Sequence, residues 1–250
     1  MGDRPNILFL MADQMQARVL EADHVCQTPC LDRLAAEGTR FTRAYTPNNI
    51  CSPTRASIMT GLLPHNHGVL EVLYPKQPHM QALLPDKEHF ARRLSGAGYR
   101  TGYFGKWHVE RTNDLQRFGW QVDGGLASKM HRALAKETGR DVRARAQCDP
   151  AVYVTEPAGY GPHLLAGVTD RPAEDRPMGL STTLALRYLE DAVKGKEPWC
   201  CFLNFQEPHD PFITERSFYE RYAALDIPPP PNADDPLEDR PGLYRRAQGI

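Results

Sequence analysis

Some segments of this chain leave a strand no wet face. Asn6 to Met11 reads Asn-Ile-Leu-Phe-Leu-Met, and Pro198 to Phe205 carries Trp-Cys-Cys-Phe-Leu in sequence. A strand on an open antiparallel sheet alternates apolar and polar residues. A strand apolar at nearly every position belongs in a parallel sheet covered by helices on both faces. These runs predict buried strands at Asn6–Met11 and Pro198–Phe205, and Tyr99–Phe104 predicts a third. The fold class is therefore α/β, with a mostly parallel sheet.

The segments between them supply the helices. Thr28-Pro29 reads as an N-cap followed by proline at the first helical position. The helix Pro29 to Glu37 then stops at Gly38. Phe41 to Tyr45 predicts a short strand, and Pro53 to Thr60 a helix with Cys51 just before it. Asp86 to Ala97 predicts a helix stopped by Gly98. Ser181 to Lys194 predicts another, with Ala185, Leu189, Ala192 and Val193 on one face and Gly195 ending it. Residues 124–180 show little periodicity and read as an irregular insertion within one domain spanning 1–250. After Phe212 the chain loosens into a proline-rich tail over 213–250, including Ile227-Pro228-Pro229-Pro230-Pro231.

In open α/β sheets, ligands collect at the C-terminal ends of the strands. Three such ends carry chemistry. The first strand ends in Asp13-Gln14, two oxygen donors suited to a hard cation. The strand before residue 105 ends in Gly105-Lys106-Trp107-His108. The late strand ends in Gln206-Glu207-Pro208-His209-Asp210. Between them lies Cys51-Ser52-Pro53-Thr54-Arg55-Ala56-Ser57-Ile58-Met59-Thr60-Gly61, a C-x-P-x-R-x4-T-G string. It sets a cysteine at a helix N-terminus, where backbone N–H groups and the dipole favour an anion.

These four blocks, in this order, resemble the type I sulfatases of the alkaline-phosphatase-like superfamily. The resemblance implies an alkaline-phosphatase-like fold with helices on both faces of the sheet. It also implies that Cys51 is oxidised to Cα-formylglycine, whose hydrate attacks sulfur and later expels sulfate by returning to the aldehyde. Pro53 and Arg55 would be read by the formylglycine-generating enzyme, a transient partner. Arg55 would also hold the formylglycine oxygens. Asp13 and Gln14, with residue 51, would bind a divalent cation, calcium first and magnesium second. Lys106 would contact sulfate, His108 would trigger sulfate release, and His209 would protonate the departing alcohol. The substrate implied is a sulfated small molecule. Its alcohol would be read chiefly by residues 124–179, where Tyr153, Tyr160, His163 and Arg171 are available, and by whatever follows Ile250. A phosphonate monoester or phosphodiester hydrolase of the same superfamily is the alternative within the enzyme class. A non-catalytic remnant is the alternative outside it. The chain resembles the N-terminal half of such enzymes, so the fold is expected to be truncated C-terminally.

The remaining features carry less. A net charge of −1 over 250 residues, with no basic run, argues against nucleic-acid binding. No stretch is long enough to span a membrane, and the first apolar run is short for a signal peptide, so a cytoplasmic protein is expected. The six cysteines make no disulfide framework in a chain of this size. His24, Cys26 and Cys30 fit no common zinc module. His65 and His67 could line a pocket. His79 and His89 read as surface or packing residues.

Overall fold

A computed structural model describes residues 4–72, 82–84, 86–140, 147–154, 162–229, 232–239 and 241–242. His79, Tyr160, Pro230 and Pro231 lie outside the described residues. The chain clusters into two compact units. The first comprises Met1–Ala144 with Ala173–His209, the second Arg145–Pro172 with Asp210–Ile250.

The first unit is built on a four-stranded sheet. Its strands are β1 (Ile7–Ala12), β2 (Arg100–Gly105), β3 (Val122–Gly125) and, later in the chain, β6 (Trp199–Phe205). Their order is β1-β6-β2-β3, and each neighbouring pair is parallel. In register, Phe9 lies beside Phe202 and Tyr103 beside the same residue on the other side. The helices of this unit are α1 (Pro29–Glu37), α2 (Cys51–Thr60), α3 (Pro64–His67), α4 (Phe90–Gly96), α5 (Lys129–Glu137) and α6 (Pro177–Ala192).

Because strand side chains alternate, β6 divides the core. Cys200 and Phe202 join Tyr103, Trp107, Trp120 and Ala91 on the face that carries α2 and α4. Cys201 and Leu203 join Phe104, Leu134, Leu184 and Tyr188 on the face that carries α5 and α6. Helix α6 is long enough to bury Met178, Leu180, Leu184, Ala185, Tyr188 and Ala192 along one stripe. The Tyr188 hydroxyl donates to the Arg100 carbonyl at 2.8 Å, which ties α6 to β2.

Strand β1 departs from the expectation of two covered faces. Its Ile7 and Met11 pack on the α2/α4 side, and Phe9 stacks on Phe202 with ring centroids 4.3 Å apart. On the other side Leu8 and Leu10 remain 50% and 51% exposed. Helices α5 and α6 cover the middle of the sheet, and β1 is its end strand.

Other boundaries also moved. Phe41–Tyr45 forms no strand. Phe41 and Tyr45 are 80% and 88% exposed, so the aromatic pattern has no sheet to join. The helix expected from Asp86 begins at Phe90, and the one expected from Ser181 begins at Pro177, where proline sits at the first position. Helix α1 has the expected bounds. Its Gly38 is extended at φ −130° rather than left-handed, and Thr28 donates to the Asp32 carboxylate rather than capping a backbone N–H. The stretch 124–180 is more regular than expected. It contains the end of β3, helix α5 and strands β4 (Ala151–Val154) and β5 (His163–Thr169). Only its middle part, 145–172, joins the second unit.

The second unit contains the sheet β4-β5-β7, with β7 spanning Phe212–Glu215. Strand β4 is antiparallel to β5 and shifts register between Val152 and Tyr153, while β7 runs parallel to β5. Helix α7 (Arg216–Tyr219) follows, and Arg216 pairs with Asp170 at 2.6 Å and donates to the Asp149 carbonyl. Among the described residues no helix is long and apolar enough to cross a membrane.

His89 is a packing residue. It is buried between Trp107 and Phe118, with neither ring nitrogen hydrogen-bonded among the described residues. Burial, reinforced by the charges of Arg92 and Arg117, pushes its imidazole down from 6.5 to about 3. The unfolded chain takes up a proton below 6.5 that the folded chain refuses. Stability is therefore full above about 6.5 and falls as pH drops towards about 3. Each pH unit in that window costs up to about 1.4 kcal/mol. Urea titrations at stepped pH should show this loss, and His89→Phe should flatten it. An equally steep acid limb in His89→Phe would assign the loss to other groups.

Candidate active site

Helix α2 starts at Cys51 itself, so the cysteine occupies the first helical position rather than the residue before it. Pro53 falls within the first turn, where a missing N–H costs nothing. The approach to the helix is tied down by Asn48, whose side chain accepts from the Ile50 N–H at 2.7 Å. The helix closes on Gly61 at φ +71°, whose N–H bonds the Ser57 carbonyl. Arg55 lies four residues after Cys51 and so shares its helix face.

Arg55 is 2% exposed, and a buried guanidinium must find partners. It donates through Nη2 to Asp13 Oδ2 at 3.0 Å and through Nη1 to the Lys106 carbonyl at 3.2 Å. Asp13 is carried to this point by the end of β1, where its N–H pairs with the Phe205 carbonyl. Its Oδ2 also accepts from Lys106 Nζ at 2.5 Å. Burial alone would raise the Asp13 carboxyl. The hydrogen bonds and charges of Lys106 and Arg55 outweigh burial and hold it below the ordinary carboxylate value.

The backbone at Lys106 is held as firmly as its side chain. Its carbonyl accepts from Arg55, from the Tyr103 hydroxyl at 2.5 Å and from Asn204 Nδ2 at 2.7 Å. Asn204 also donates to the Tyr103 hydroxyl at 2.7 Å. Tyr103 is fully buried, and desolvation lifts its phenol to about 12, so it stays a donor. Gly105 makes the turn possible. It sits at φ +91°, and a Cβ there would lie 2.1 Å from the Asn204 carbonyl oxygen.

His108 follows at φ 48°, a left-handed conformation uncommon for a non-glycine residue. Its Nδ1 is buried and unpartnered among the described residues. Burial, then the charges of Lys106 and Arg55, lower its imidazole to about 4 against the opposing pull of Asp13, and His209 lowers it further. The histidine is neutral at pH 7 and lies within electrostatic reach of the other site residues. His209 stands just beyond β6, with its N–H on the Gln206 carbonyl at 3.0 Å. A cavity of about 100 Å³ beside Lys106 and His108 is lined by Asn113, Asp123 and Ser128 among others. The fold thus brings together Asp13, Arg55, Lys106, His108 and His209, with Cys51 one helical turn from Arg55.

Gln14 is placed less inwardly. It follows Asp13 at φ 65° and is exposed. The Asp13 carboxylate and the Gln14 amide oxygen suit a hard cation in kind, calcium or magnesium, but supply only part of its ligand sphere. Among the described residues no group of three His, Cys, Asp or Glu side chains could complete one.

His67 packs against α2. It is buried, its Nδ1 accepts from the Val69 N–H at 3.1 Å, and its Nε2 is 3.0 Å from Ser57 Oγ on α2. Burial lowers its imidazole, opposed by a bond to the Pro53 carbonyl and aided by His65, which is itself exposed. Tyr103, Asn204 and His67 are the supports that motif reading missed. Asn204 left a signal, as a polar residue near the end of an otherwise apolar strand.

Tyr103→Phe would leave the Lys106 carbonyl and the Asn204 amide each short of a partner. The expected cost is about 1–3 kcal/mol by urea denaturation. Unchanged stability would mean that the hydroxyl is not part of this network.

The family model described as Sulfatase matches residues 5–235. The choline-sulfatase of Rhizobium meliloti (strain 1021) is 27% identical over 95% of this chain and 44% of its own length. Arylsulfatase A of Bos taurus is 43% identical over 42% of this chain and 21% of its own. Among solved structures, the phosphonate monoester hydrolase SpPMH from Silicibacter pomeroyi superposes with a TM-score of 0.69 at 26% identity. It matches 99% of this chain and 50% of that one. BT4656, solved in complex with its substrate D-glucosamine-2-N,6-O-disulfate, gives a TM-score of 0.64 at 22% identity over 97% of this chain and 42% of that one. The chain spans about half the length of the relatives that it matches along most of its own.

Proposed function

The chain belongs to the sulfatase family, and from that premise we propose that it is the nucleophile-bearing part of a hydrolase that cleaves a sulfate monoester. The observation that carries this reading is the meeting of Arg55 and Lys106 on Asp13, with Cys51 one helical turn away. Two cations against one carboxylate leave net positive charge where the first turn of α2 also presents its N–H groups. A tetrahedral oxyanion is the ligand that such a site favours.

Cys51, once oxidised to formylglycine, would supply a hydrated aldehyde as nucleophile, and a divalent cation would add charge neutralisation at Asp13 and Gln14. Arg55 is anchored on both amino groups and orients residue 51 from its own helix face. Lys106 offers its ammonium to the oxyanion. His108 is neutral at working pH and can take the proton whose removal releases sulfate. His209 is the candidate donor to the leaving alcohol. The substrate proposed is a sulfated small molecule, and the generating enzyme is a transient partner that reads Cys51, Pro53 and Arg55.

A second reading within the same chemistry is phosphonate monoester hydrolysis, favoured by the likeness to SpPMH along nearly the whole chain. Sulfate and phosphonate esters share tetrahedral oxyanion geometry, so Arg55 and Lys106 serve either.

Co-expression with a formylglycine-generating enzyme should convert Cys51, seen by peptide mass spectrometry as loss of the thiol in favour of an aldehyde. A persistent thiol at Cys51 in cells with proven generating activity would sink the nucleophile assignment. Assays with an aryl sulfate and a phenyl phosphonate monoester then separate the two readings by kcat/KM. Cys51→Ala should abolish turnover of both and leave the melting temperature nearly unchanged.

A further inference from the structure

Strand β6 is apolar except at Asn204, which is wholly buried on the face that Cys200 and Phe202 share. An apolar residue of similar size would need no hydrogen-bonding partners there. The asparagine has such needs, and one stays unmet: its Oδ1 is buried without a partner among the described residues. The amide cannot be turned to relieve this. The Lys106 carbonyl only accepts, so the amide nitrogen must face it.

Both backbone groups of Lys106 are tied to this single residue. The Lys106 N–H donates to the Asn204 main-chain carbonyl at 3.1 Å, and the Lys106 carbonyl accepts from Asn204 Nδ2 at 2.7 Å. Nδ2 also donates to the Tyr103 hydroxyl, which itself donates to the Lys106 carbonyl. The amide, the phenol and the carbonyl oxygen close a triangle. Gly105 allows the approach, because no side chain fits between its Cα and the Asn204 carbonyl.

With the peptides on both sides of Lys106 pinned, the direction of its Cα–Cβ bond is fixed. The next residues inherit that geometry. Trp107 is buried, and its indole N–H donates to the Thr112 carbonyl at 2.8 Å. Val109 is fully buried. His108 is held between these two anchors in its left-handed conformation. One residue of β6 thus sets the origin of the Lys106 side chain and, through Trp107, that of the His108 imidazole.

We propose that Asn204 is a positioning residue of the hydrolytic site: with Tyr103 as its partner, it fixes where the Lys106 ammonium and the His108 imidazole stand relative to an incoming oxyanion. This rests on the reading of Lys106 as the oxyanion contact and His108 as the proton acceptor. Asn204 itself touches no reacting atom. Its effect is geometric, and misplaced groups cost more in the transition state than in the bound ester, so the loss falls on kcat more than on KM.

The test takes the 250-residue chain, co-expressed with the generating enzyme, through turnover of an aryl sulfate and through calorimetric titration with inorganic sulfate. Asn204→Leu keeps the bulk and removes both donated bonds. Per folded molecule its kcat should fall between about tenfold and about a hundredfold, with KM rising by less than kcat falls. Tyr103→Phe opens one side of the triangle and should give a smaller loss of the same kind. Cys200→Ala is the packing control, a buried residue on the same face of β6 with no part in the triangle. It should lower the melting temperature and leave kcat per folded molecule within about twofold of wild type. Sulfate titration reads the geometry without turnover. Lys106→Met and Asn204→Leu should each weaken sulfate, and the double variant should lie within about twofold of Lys106→Met alone, because the asparagine acts through the lysine. If Asn204→Leu does not fold, Asn204→Ala and Tyr103→Phe carry the same measurements.

The proposal is overturned if the Asn204 and Tyr103 variants all keep kcat per folded molecule within about twofold of wild type, or if Cys200→Ala loses as much kcat as Asn204→Leu. It is equally overturned if the sulfate losses of Asn204→Leu and Lys106→Met add in full. If wild type hydrolyses the ester and Asn204→Leu matches it, the positioning role falls and the hydrolase reading stands. If the sulfate losses are non-additive as expected but wild type hydrolyses neither an aryl sulfate nor a phenyl phosphonate monoester, the positioning role stands for an oxyanion site and the hydrolase reading falls. A wild type that neither binds sulfate nor hydrolyses either ester removes both.

Discussion

A guanidinium taken almost wholly out of water is the constraint on which this site depends. Burying Arg55 without partners would cost more than a domain of this size can bear. The chain meets that cost by bringing two distant segments to α2: the end of β1 with Asp13, and the turn after β2 with Lys106. The signature helix is therefore fixed to the sheet by charge, while its apolar face packs through Ala56 and Met59. Each partner of Arg55 has a further partner of its own, so loosening one contact loosens the rest.

Two of the three non-glycine residues at positive φ among the described residues lie at the same place, and the third, Leu237, lies in the C-terminal tail. Gln14 and His108 both hold positive φ without being glycine, and each comes directly or closely after a residue that touches the ion-paired trio. Such conformations persist only where surrounding contacts enforce them. At His108 the enforcing contacts are the clamped carbonyl of Lys106 and the turn at Gly105. An imidazole held in an unusual backbone conformation, with a buried nitrogen unpartnered among the described residues, is a cost to stability that these contacts offset.

Much of this arrangement was legible in the sequence, for a definite reason. Uninterrupted apolar runs of this length read as strands, so β1 and β6 announced themselves, although only β6 is interior, and the polar residues just after each strand marked the ligand edge. The helix limits of α1 followed from Thr28-Pro29 at one end and Gly38 at the other. What failed depended on partners that a local pattern does not name. Phe41 to Tyr45 has strand composition and no strand beside it. Leu8 and Leu10 have core composition and no helix over them among the described residues. Residues 151–154 and 163–169 lack a clear period because each is made a strand by pairing with the other. Tyr103 and Asn204 were passed over because their role lies in meeting each other across β2 and β6, and nothing local in either segment states that meeting.

The shared carbonyl of Lys106 has a consequence for how this sheet is assembled. Its donors come from β2, from β6 and from α2, and Asn204 reaches it only because β6 lies in one alignment against β2. A slip of one residue would turn Asn204 to the opposite face and bring Leu203 or Phe205 towards the buried oxygen, neither of which can donate. The chemistry of the site and the correctness of the sheet are thus one condition. A wrongly threaded chain would lose the clamp on the Lys106 carbonyl together with the register, so the candidate site works as the fold's own proofreader.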